Sequence, residues 1–520
     1  MIDYPETETK TTTRTARKIL PIEELAEEVN NYKAQGKKVV HCHGVFDLLH
    51  IGHIRYFEQA RKLGDVLIVT LTPDCYVDKG PHRPAFTEKL RAEAIASLSS
   101  VDHVAINRWP TAEDTLRLLK PDFYVKGAEF KDTSSDMTGK IAKEEKVASE
   151  VGTQLTFTDD IIFSSTQLIN EYLTQLPAEI DKFVKLFRER HRLGDILELI
   201  ERMSFLNVLV IGDTILDEYQ YCEAIGKSSK DPTLALKYMS RDLFAGGVLA
   251  VANHLASFTD KVQLISVLGE KNRHEGLIRS QLNKNIKTHF LTQPNAPTIT
   301  KKRFIDGYSL HKLVEVYVMD DTGLPSGRKK ELTDWLKERI EGYDLVICAD
   351  FGHGAIGKEI INLLSQKARF LAVNTQANAG NRGFNTISKY PRADYACIAE
   401  HELRLEMRRS LGSVRPMVRA TAKKLGCQQF TVTRGRNGCA VYDKNNSFVT
   451  VPSFATNVVD RVGAGDTFFA ITAMASALGV DNEVLGFLGN IVGALAVQIV
   501  GNKKSIDKGS VQKYLVSLLK

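Results

Sequence analysis

The sequence predicts an α/β protein built from two separate domains, each with a mainly parallel sheet covered by helices. A chain of 520 residues is too long for a single hydrophobic core. Two series of short β-rich runs alternate with helical stretches, and this alternation is typical of βαβ units. The first series begins at KVVHCHGVF and the second at NVLVIGD. A charge-dense segment with apolar residues at helical spacing lies between them.

These changes of pattern predict the boundaries of the domains. We expect a disordered tail, a first α/β domain, a helical connector and a second, larger α/β domain, at residues 1–19, 20–172, 173–200 and 201–520. Parts of the second domain, at 218–242 and 288–319, alternate polar and apolar residues as half-exposed antiparallel strands do. They predict a small β lid over the larger sheet.

The composition excludes several classes of protein. A hydrophobic content of 43% with 25% charged residues is that of a globular protein, and no apolar run is long enough to span a membrane. The first residues lack the apolar region of a secretory signal, so we expect a cytoplasmic protein without a membrane partner. Seven scattered cysteines without a C-x-x-C pair predict reduced thiols in the core. A net charge of +6 without a basic stripe favours small anionic ligands over nucleic acid.

The first motif is His50-Ile51-Gly52-His53, where a loop gives way to a helix after the β run that ends at Phe46. Backbone N–H groups at the start of a helix and two imidazoles can converge there on one phosphate. Gly52 would allow a triphosphate to approach the backbone closely. The histidines would stabilise charge at an α-phosphate, so no nucleophilic side chain is required. The alternative is a pair of surface or capping histidines.

The surrounding sequence, from PIEELAEEVNNYKAQGKKVV through HGVFDLLHIGHIRYFEQARKLGD to FSSTQLI, resembles the cytidylyltransferase-like nucleotidyltransferases over residues 20–172. It is most similar to the adenylyltransferase domain of the bacterial bifunctional heptose kinase/adenylyltransferases. The resemblance implies a Rossmann-like domain with His50 and His53 as catalytic residues. It implies nucleotide or phosphate contacts for Phe46, Gly52, Lys79, Arg91, Lys126, Ser164, Ser165 and Thr166. Each has a structural alternative, such as a surface charge or a helix cap. Glu129 stands where relatives have Asp, and His43 where they have other polar residues.

The second motif is Gly463-Ala464-Gly465-Asp466, which precedes an apolar helix. Small residues leave backbone N–H groups free to surround an anion at the start of a helix. Asp466 could then act as a base toward a substrate hydroxyl while these groups stabilise a moving phosphoryl group. The alternative is a Gly-rich turn in which Asp466 only begins a helix.

Around this motif, the segments VLVIGDTILDEYQY, FAGGVLAVANHLAS, TITKKRFI, LVICADFGHGAI and VTRGRNGCAVYD occur in the order typical of ribokinase-like (PfkB-type) carbohydrate kinases. The resemblance covers about residues 200–515, and its order relative to the transferase is the reverse of that in the bifunctional heptose enzymes. It implies a ribokinase-like α/β domain with a β lid. Sugar binding is implied for Asp213, Asp217, Gly246, Gly247 and Asn253, nucleotide binding for Gly435 and Gly438, and the reacting centre for Gly463, Gly465 and Asp466.

The kinase-like segment departs from its family at three places. Ala399 replaces the Asn of an N-x-x-E motif, while its Glu is kept as Glu402, which would help to place Mg²⁺ indirectly. Residues 374–376 lack an expected Lys, and His353 stands where heptose kinases have Lys. The loss of two cations near a triphosphate predicts weaker ATP binding or an altered substrate. The Asn/Gly-rich segment NTQANAGNRGFNTISKY is either a distinct binding loop or a plain surface loop.

Together the two resemblances predict an enzyme of nucleotide-sugar synthesis. The kinase would use ATP to phosphorylate a heptose-type sugar at its anomeric hydroxyl, and the transferase would join the sugar 1-phosphate to ATP or CTP with release of pyrophosphate. Mg²⁺ is the expected cofactor and a homodimer the expected assembly. The alternative is a nucleotidyltransferase whose kinase-like domain is weak or inactive and serves for sugar binding or dimerisation.

Overall fold

The structure, a computed structural model, describes residues 15–77, 83–127, 140–158, 176–320 and 322–519. The chain divides into two compact units, one formed by the described residues of Met1–Leu176 with Gln512–Lys520, the other by those of Pro177–Val511. No helix in these ranges is long and apolar enough to cross a bilayer. Each unit is built on a sheet with parallel strands at its centre, as the alternating pattern predicts.

The first unit is a five-stranded parallel sheet in the order β3-β2-β1-β4-β5. Its elements are α1 (Ile22–Ala34), β1 (Val39–Gly44), α2 (Ile51–Arg61), β2 (Val66–Leu71), α3 (Glu88–Ala96), β3 (His103–Ile106), α4 (Glu113–Leu119), β4 (Phe123–Lys126), α5 (Lys140–Glu150) and β5 (Gln154–Phe157). The strand order reverses at β1, and ligands of such sheets bind beyond the carboxyl ends of the strands at that point. The segment that follows β1 leads directly to His50 and α2.

The second unit is larger and begins with two helices where the sequence predicts a connector. Its elements are α6 (Ala178–Arg190), α7 (Leu193–Arg202), β6 (Val208–Lys227), β7 (Leu234–Gly247), α8 (Val248–Ala256), β8 (Val262–Lys271), α9 (Glu275–Gln281), β9 (Ile286–Pro297), β10 (Thr300–Asp306), β11 (Lys312–Val318), α10 (Ser326–Arg339), β12 (Leu345–Asp350), α11 (Lys358–Lys367), β13 (Leu371–Thr375), β14 (Tyr395–Ala399), α12 (Glu400–Met407), α13 (Val414–Leu425), β15 (Gln429–Thr433), β16 (Cys439–Asp443), β17 (Phe448–Val451), α14 (Ala464–Ala477) and α15 (Asn482–Ala496). A last helix, α16, covers Lys508–Leu519.

The central sheet of the second unit has the order β9-β8-β6-β12-β13-β14-β15-β16-β17. Its strands are parallel except at the β15–β16 and β16–β17 pairs, which are antiparallel. Strands β12 and β13 are buried along their whole length, as expected for strands covered by helices on both faces. The carboxyl ends of β12, β13, β14 and β15 therefore meet at one edge of the sheet.

The predicted β lid is formed by strands β7, β10 and β11 with the distal part of β6. The first residues of β6 pair with β8 and β12 in the central sheet, and the rest of this long strand continues into the lid. One detail of the prediction is wrong, because β10 runs parallel to β6 and only the β6–β7 and β10–β11 pairs are antiparallel. The polar-apolar alternation reports a half-exposed strand but not the direction of its neighbour.

The cysteines agree with the prediction at six of the seven positions. Cys42, Cys222, Cys348, Cys397, Cys427 and Cys439 are buried and free. Cys75 is exposed instead, so the expectation of core thiols is wrong at that residue. It belongs to a short turn after β2, outside the periodic elements that identify core positions.

Candidate active sites

In the first unit, His50 and His53 lie together at the start of α2. His50 caps the helix, and its Nδ1 accepts a hydrogen bond of 3.1 Å from the Gly52 N–H. In the neutral ring the proton is then on Nε2, which can act as a donor. Partial burial lowers the pKa of His50, which favours this neutral form. The two imidazoles stack with their centroids 4.0 Å apart, so they present one paired surface.

Gly52 donates its backbone N–H to the His50 side chain, and this bond fixes the orientation of the imidazole. Its predicted role, to let a triphosphate approach the backbone closely, stays a prediction. The capping alternative and the catalytic prediction are therefore compatible for His50, because a capped Nδ1 leaves Nε2 as the donor.

Phe46 packs against one member of the histidine pair, His53. It has a positive φ of 47°, and its ring meets the His53 ring edge-on at 5.3 Å between centroids. It also packs against Phe57. A Cβ atom on Gly44 would lie 2.9 Å from the Phe46 ring, so the glycine makes room for this fold of the chain. Phe46 thus packs against His53, and its predicted contact with the nucleotide stays a prediction.

Arg91, predicted to line the nucleotide pocket, is buried among backbone groups instead. Its guanidinium donates to the carbonyls of Phe86, Val45 and Thr72 and to the Asp74 carboxylate. All three guanidinium nitrogens are used in these bonds. Arg91 ties the loop after β1 to the loop after β2, and this position contradicts direct contact with a nucleotide. The sequence could not reveal this, because the carbonyls of Val45 and Thr72 lie 46 and 19 residues away along the chain.

Lys126 forms an ion pair of 2.7 Å with the buried Glu144, which also accepts a hydrogen bond from Tyr124. Its predicted contact with the nucleotide stays a prediction. Lys79, Glu129, Ser164, Ser165 and Thr166 lie outside the described residues.

His43, for which the sequence predicts no role, is buried near the carboxyl end of β1. Its Nδ1 and the Nε2 of His41 both lie 2.8 Å from the Thr70 hydroxyl. His41 also stacks on Tyr124. The pair links β1 to β2 and β4 just below the loop that carries the histidine motif. We interpret His43 as part of the support of the site.

In the second unit, Asp466 lies in the first turn of α14. Gly463 caps this helix with φ of 83°, and a Cβ there would lie 2.1 Å from the Asn502 Oδ1. Only glycine fits this turn without strain. Burial and the nearby Asp217 raise the pKa of the Asp466 carboxyl to about 7, and a hydrogen bond of 2.6 Å from Gln376 Nε2 opposes the shift. Asp466 is thus a buried carboxyl that titrates near neutrality.

A polar cavity of about 320 Å³ opens in front of Asp466, between the lid and the edge of the central sheet. The lid contributes Asp217, Lys301 and Arg303, and Arg303 forms an ion pair with Asp217. Gly247 also lines this cavity, and a Cβ on Gly246 would lie 2.1 Å from the Asp217 carboxylate. The predicted residues Asp217, Gly247, Gly463, Gly465 and Asp466 are brought together here.

A second cavity of about 290 Å³ is mainly apolar. Its lining includes Gly435, Gly438, Phe468 and Asn490, and Thr433, Arg461 and Gly465 border both cavities. A flat base beside a polar triphosphate requires this combination of an apolar cleft and a polar neighbour. The structure therefore brings the predicted nucleotide residues Gly435, Gly438 and Ala464 to one cleft beside the reacting centre.

Two predicted sugar-binding residues are engaged elsewhere. The buried Asp213 carboxylate accepts hydrogen bonds from the backbone N–H groups of Phe351, His353 and Ala355, so it holds the loop after β12. The Asn253 amide bonds the backbone of residues 281 and 283. Neither residue lines the polar cavity. Sugar binding was implied for both by the resemblance to carbohydrate kinases, but buried polar side chains often satisfy backbone groups instead.

Glu402 lines the polar cavity with both oxygens already bonded. They accept from the N–H groups of Ala377 and Ala399, at 2.8 and 2.7 Å, while burial raises the pKa of Glu402 to about 7. An indirect role in placing a metal stays a prediction.

Two lysines of related kinases are absent from this sequence, at residues 374–376 and at His353. The polar cavity is nevertheless lined by three other cations, Lys301, Arg303 and Arg461. Sequence reasoning missed them, although Lys301 and Arg303 alternate along β10 and must share one face. Burial lowers the pKa of Lys301. Gln376, which stands in the segment without the expected Lys, donates to Asp466.

The Asn-rich segment after β13 is held against the loop after β12. The amides of Asn378 and Asn381 donate to the Phe351 carbonyl, and the Asn385 amide donates to the carbonyls of Asp350 and Gln376. These asparagines fasten two loops behind the cavity. The side chains that suggested a binding loop are used inside the protein.

Comparison with known proteins finds a family match for each of the two segments that carry these sites. Residues 206–508 match the family described as pfkB family carbohydrate kinase, and residues 41–171 match the family described as cytidylyltransferase-like. Among solved structures, phosphofructokinase-2 from Escherichia coli in complex with potassium has a TM-score of 0.51 at 16% identity, covering 61% of this chain and 100% of that chain. At this identity the likeness concerns the fold alone.

Curated relatives named "Bifunctional protein HldE" are also similar. The protein from Trichlorobacter lovleyi is 25% identical over 309 residues, 58% of this chain and 62% of that protein. Those from Desulfatibacillum aliphaticivorans and Helicobacter pylori (strain Shi470) are 40% and 44% identical over 116 and 119 residues, each 22% of this chain and 24% and 25% of theirs. The chain thus matches less than two thirds of the length of these relatives. Because the kinase match alone covers more than half of the sequence, the chain belongs to the pfkB family of carbohydrate kinases, with a cytidylyltransferase-like segment preceding the kinase.

Proposed function

We propose that this chain is a bifunctional enzyme of nucleotide-sugar synthesis, in which a kinase and a nucleotidyltransferase act in turn on one sugar. The observation that carries the proposal is Asp466, a buried carboxyl at the start of α14, between a polar cavity under the lid and an apolar cleft. A phosphoryl transfer needs these three parts in this order: a sugar site, a base and a nucleotide site.

In the kinase step, a sugar hydroxyl in the polar cavity attacks the γ-phosphorus of ATP. The hydroxyl proton passes to Asp466, and the bond between the γ-phosphorus and the ADP oxygen breaks. A carboxyl with a pKa raised to about 7 suits this role, because a general base works best when its pKa lies near the operating pH. The start of α14 and the Lys301 ammonium would stabilise the charge on the moving phosphoryl group.

Magnesium fits this site only as a companion of the nucleotide. Within the ranges that the structure covers, no group of three or more His, Cys, Asp or Glu is arranged to hold a metal ion. Mg²⁺ usually keeps several waters and binds through one or two carboxylates with substrate phosphates. Glu402 lines the cavity with both oxygens accepting backbone N–H groups, so it would hold the ion indirectly, through one of these waters. The bound ion would neutralise phosphate charge.

In the transferase step, a phosphate oxygen of the sugar 1-phosphate attacks the α-phosphorus of ATP or CTP. The bond to the pyrophosphate oxygen breaks, and pyrophosphate leaves. His50 and His53 would donate hydrogen bonds to the phosphate oxygens as their charge increases. The capped Nδ1 of His50 supports this role, because it leaves the Nε2–H as the donor.

The substrate and setting are also proposals. A heptose-type sugar, phosphorylated at its anomeric hydroxyl, follows from the resemblance to the heptose enzymes. We propose a homodimer in the cytoplasm with neither a membrane nor a nucleic acid as partner. The seven free cysteines support a reducing compartment.

The test is to supply ATP and CTP with a panel of sugars and sugar 1-phosphates while ADP and pyrophosphate are measured separately. We expect Asp466→Asn to abolish sugar-dependent ADP formation and to leave pyrophosphate release from sugar 1-phosphate intact. We expect His53→Ala to do the reverse. Normal sugar phosphorylation by folded Asp466→Asn protein would refute the kinase assignment. Undiminished pyrophosphate release by folded His53→Ala protein would refute the transferase mechanism.

A nucleotidyltransferase with an inactive kinase-like domain is the second candidate. The observation in its favour is that both Glu402 oxygens are already bonded to backbone N–H groups. It predicts pyrophosphate release without sugar-dependent ADP formation for every sugar in the panel.

A further inference from the structure

The side chain of Asp460, in the segment before α14, bonds both the lid and the loop that leads to Asp466. Its carboxylate is only 5% exposed and pairs with the Lys312 ammonium at 2.6 Å. It also accepts hydrogen bonds from the Tyr219 hydroxyl at 2.5 Å and from the N–H groups of Gly501 and Val462 at 2.9 and 3.2 Å. Lys312 and Tyr219 belong to the lid, whereas Val462 belongs to the loop that leads into α14.

An irregularity in the lid aims Lys312 at this carboxylate. Strands β10 and β11 pair regularly from Thr300↔Val318 to Phe304↔Val314, and the register then shifts so that Ile305 pairs with Lys312. Paired residues of an antiparallel ladder point to the same face. The shift therefore puts Lys312 on the face of Ile305, which is the inner face of the lid. Bulges of this kind often redirect a side chain beside an active site.

The two structures that Asp460 joins both line the polar cavity. The inner face of the lid contributes Lys301 and Arg303, and the loop contributes Val462 and Gly463. The bonds of Asp460 would therefore do two things at once. They would hold the lid closed over a sugar, and they would order the loop that precedes Asp466. Burial alone would raise the pKa of Asp460, but hydrogen bonds from Lys312 and Tyr219 hold that pKa below its usual value. The carboxylate is therefore charged at neutral pH.

We propose that Lys312 and Asp460 are positioning residues that latch the lid to the loop before α14, so that the reacting centre is ordered only when the lid is closed. The proposal rests on the kinase activity proposed above. Its consequence is that ATP is not hydrolysed while the lid is open, because the reacting centre is then not ordered, and closure over a sugar excludes water from the ordered centre.

The test compares the full-length wild type with Lys312→Met, Lys312→Arg and the control Lys237→Met. Lys237 belongs to an exposed lid pair with Glu223 at 3.9 Å, so its loss removes a lid cation without touching the latch. We expect Lys312→Met to lower sugar phosphorylation about tenfold and to raise the ratio of ADP formed to sugar phosphorylated. Lys312→Arg should restore most of this coupling, and Lys237→Met should match the wild type.

Hydrogen–deuterium exchange without substrates gives a second measurement. In Lys312→Met protein, exchange should increase both in β11 and in residues 456–463. A wild-type coupling ratio, or faster exchange in β11 alone, would overturn the latch. If the wild type phosphorylates none of the sugars, the proposed kinase function fails, and the exchange experiment still decides whether the latch exists.

Discussion

Asp466 offers the sharpest test, because catalysis requires its carboxyl to be ionised whereas the stability of the fold favours the neutral form. The carboxyl must be ionised to act as a base, yet it is buried next to Asp217, and these surroundings raise its pKa from 3.8 to about 7. At 1.36 kcal/mol per pH unit, a shift of about three units means that the ionised carboxylate destabilises the fold by about 4 kcal/mol. Asp466→Asn removes the charge and keeps an acceptor for Gln376.

The sign of the effect follows from proton binding. The carboxyl ionises near pH 4 in the unfolded chain and near pH 7 in the folded one, so the folded state holds the proton more tightly. This contribution to stability is complete below pH 4 and is lost as the pH rises toward 7. The advantage of Asp466→Asn over the wild type should therefore grow by about 2–3 kcal/mol between pH 5 and pH 8.

Urea unfolding measures this difference. The chain has two tryptophans, Trp109 in the first unit and Trp335 in the second, so a Trp109→Phe background reports on the second unit alone. The variant should be more stable at pH 8 and should lack sugar phosphorylation. Equal stability at pH 8, or the same gain at both pH values, would refute the claim that Asp466 is a buried base.

Three further changes test other parts of the structure. Arg91→Lys should destabilise the first unit by about 2–4 kcal/mol and lower pyrophosphate release, because Lys cannot replace the buried guanidinium bonds, and Trp109 fluorescence in urea measures the loss. Gly463→Ala should lower sugar phosphorylation about a hundredfold without affecting pyrophosphate release, because a residue with a side chain is strained at a φ of 83° and would shift the start of α14, and the separate product assays check this. Burial lowers the pKa of His254 from 6.5 to about 4, so stability should be lost as the pH falls from 6.5 toward 4, and His254→Gln should flatten that part of the acid-unfolding curve.

Local patterns in the sequence were sufficient for much of the fold. Alternation of strands and helices predicts two parallel-sheet units, and polar-apolar alternation predicts the lid. The positions of His50 at the start of α2 and of Asp466 at the start of α14 were predictable for the same reason, since motif and helix start are adjacent in the chain. The direction of β10 was not, because pairing between distant strands leaves no local signal.

Roles that depend on distant partners were decided by the tertiary structure. Arg91, Asp213 and Asn253 carry polar groups that suit a ligand, but each one bonds the backbone of a remote loop. Lys301 and Arg303 became part of the site only when the lid folded over Asp466. The sequence alone determines which chemical groups are present and which secondary structure carries them. Whether such a group meets a ligand or a buried carbonyl depends on contacts between segments far apart in the chain, and only the folded structure defines those contacts.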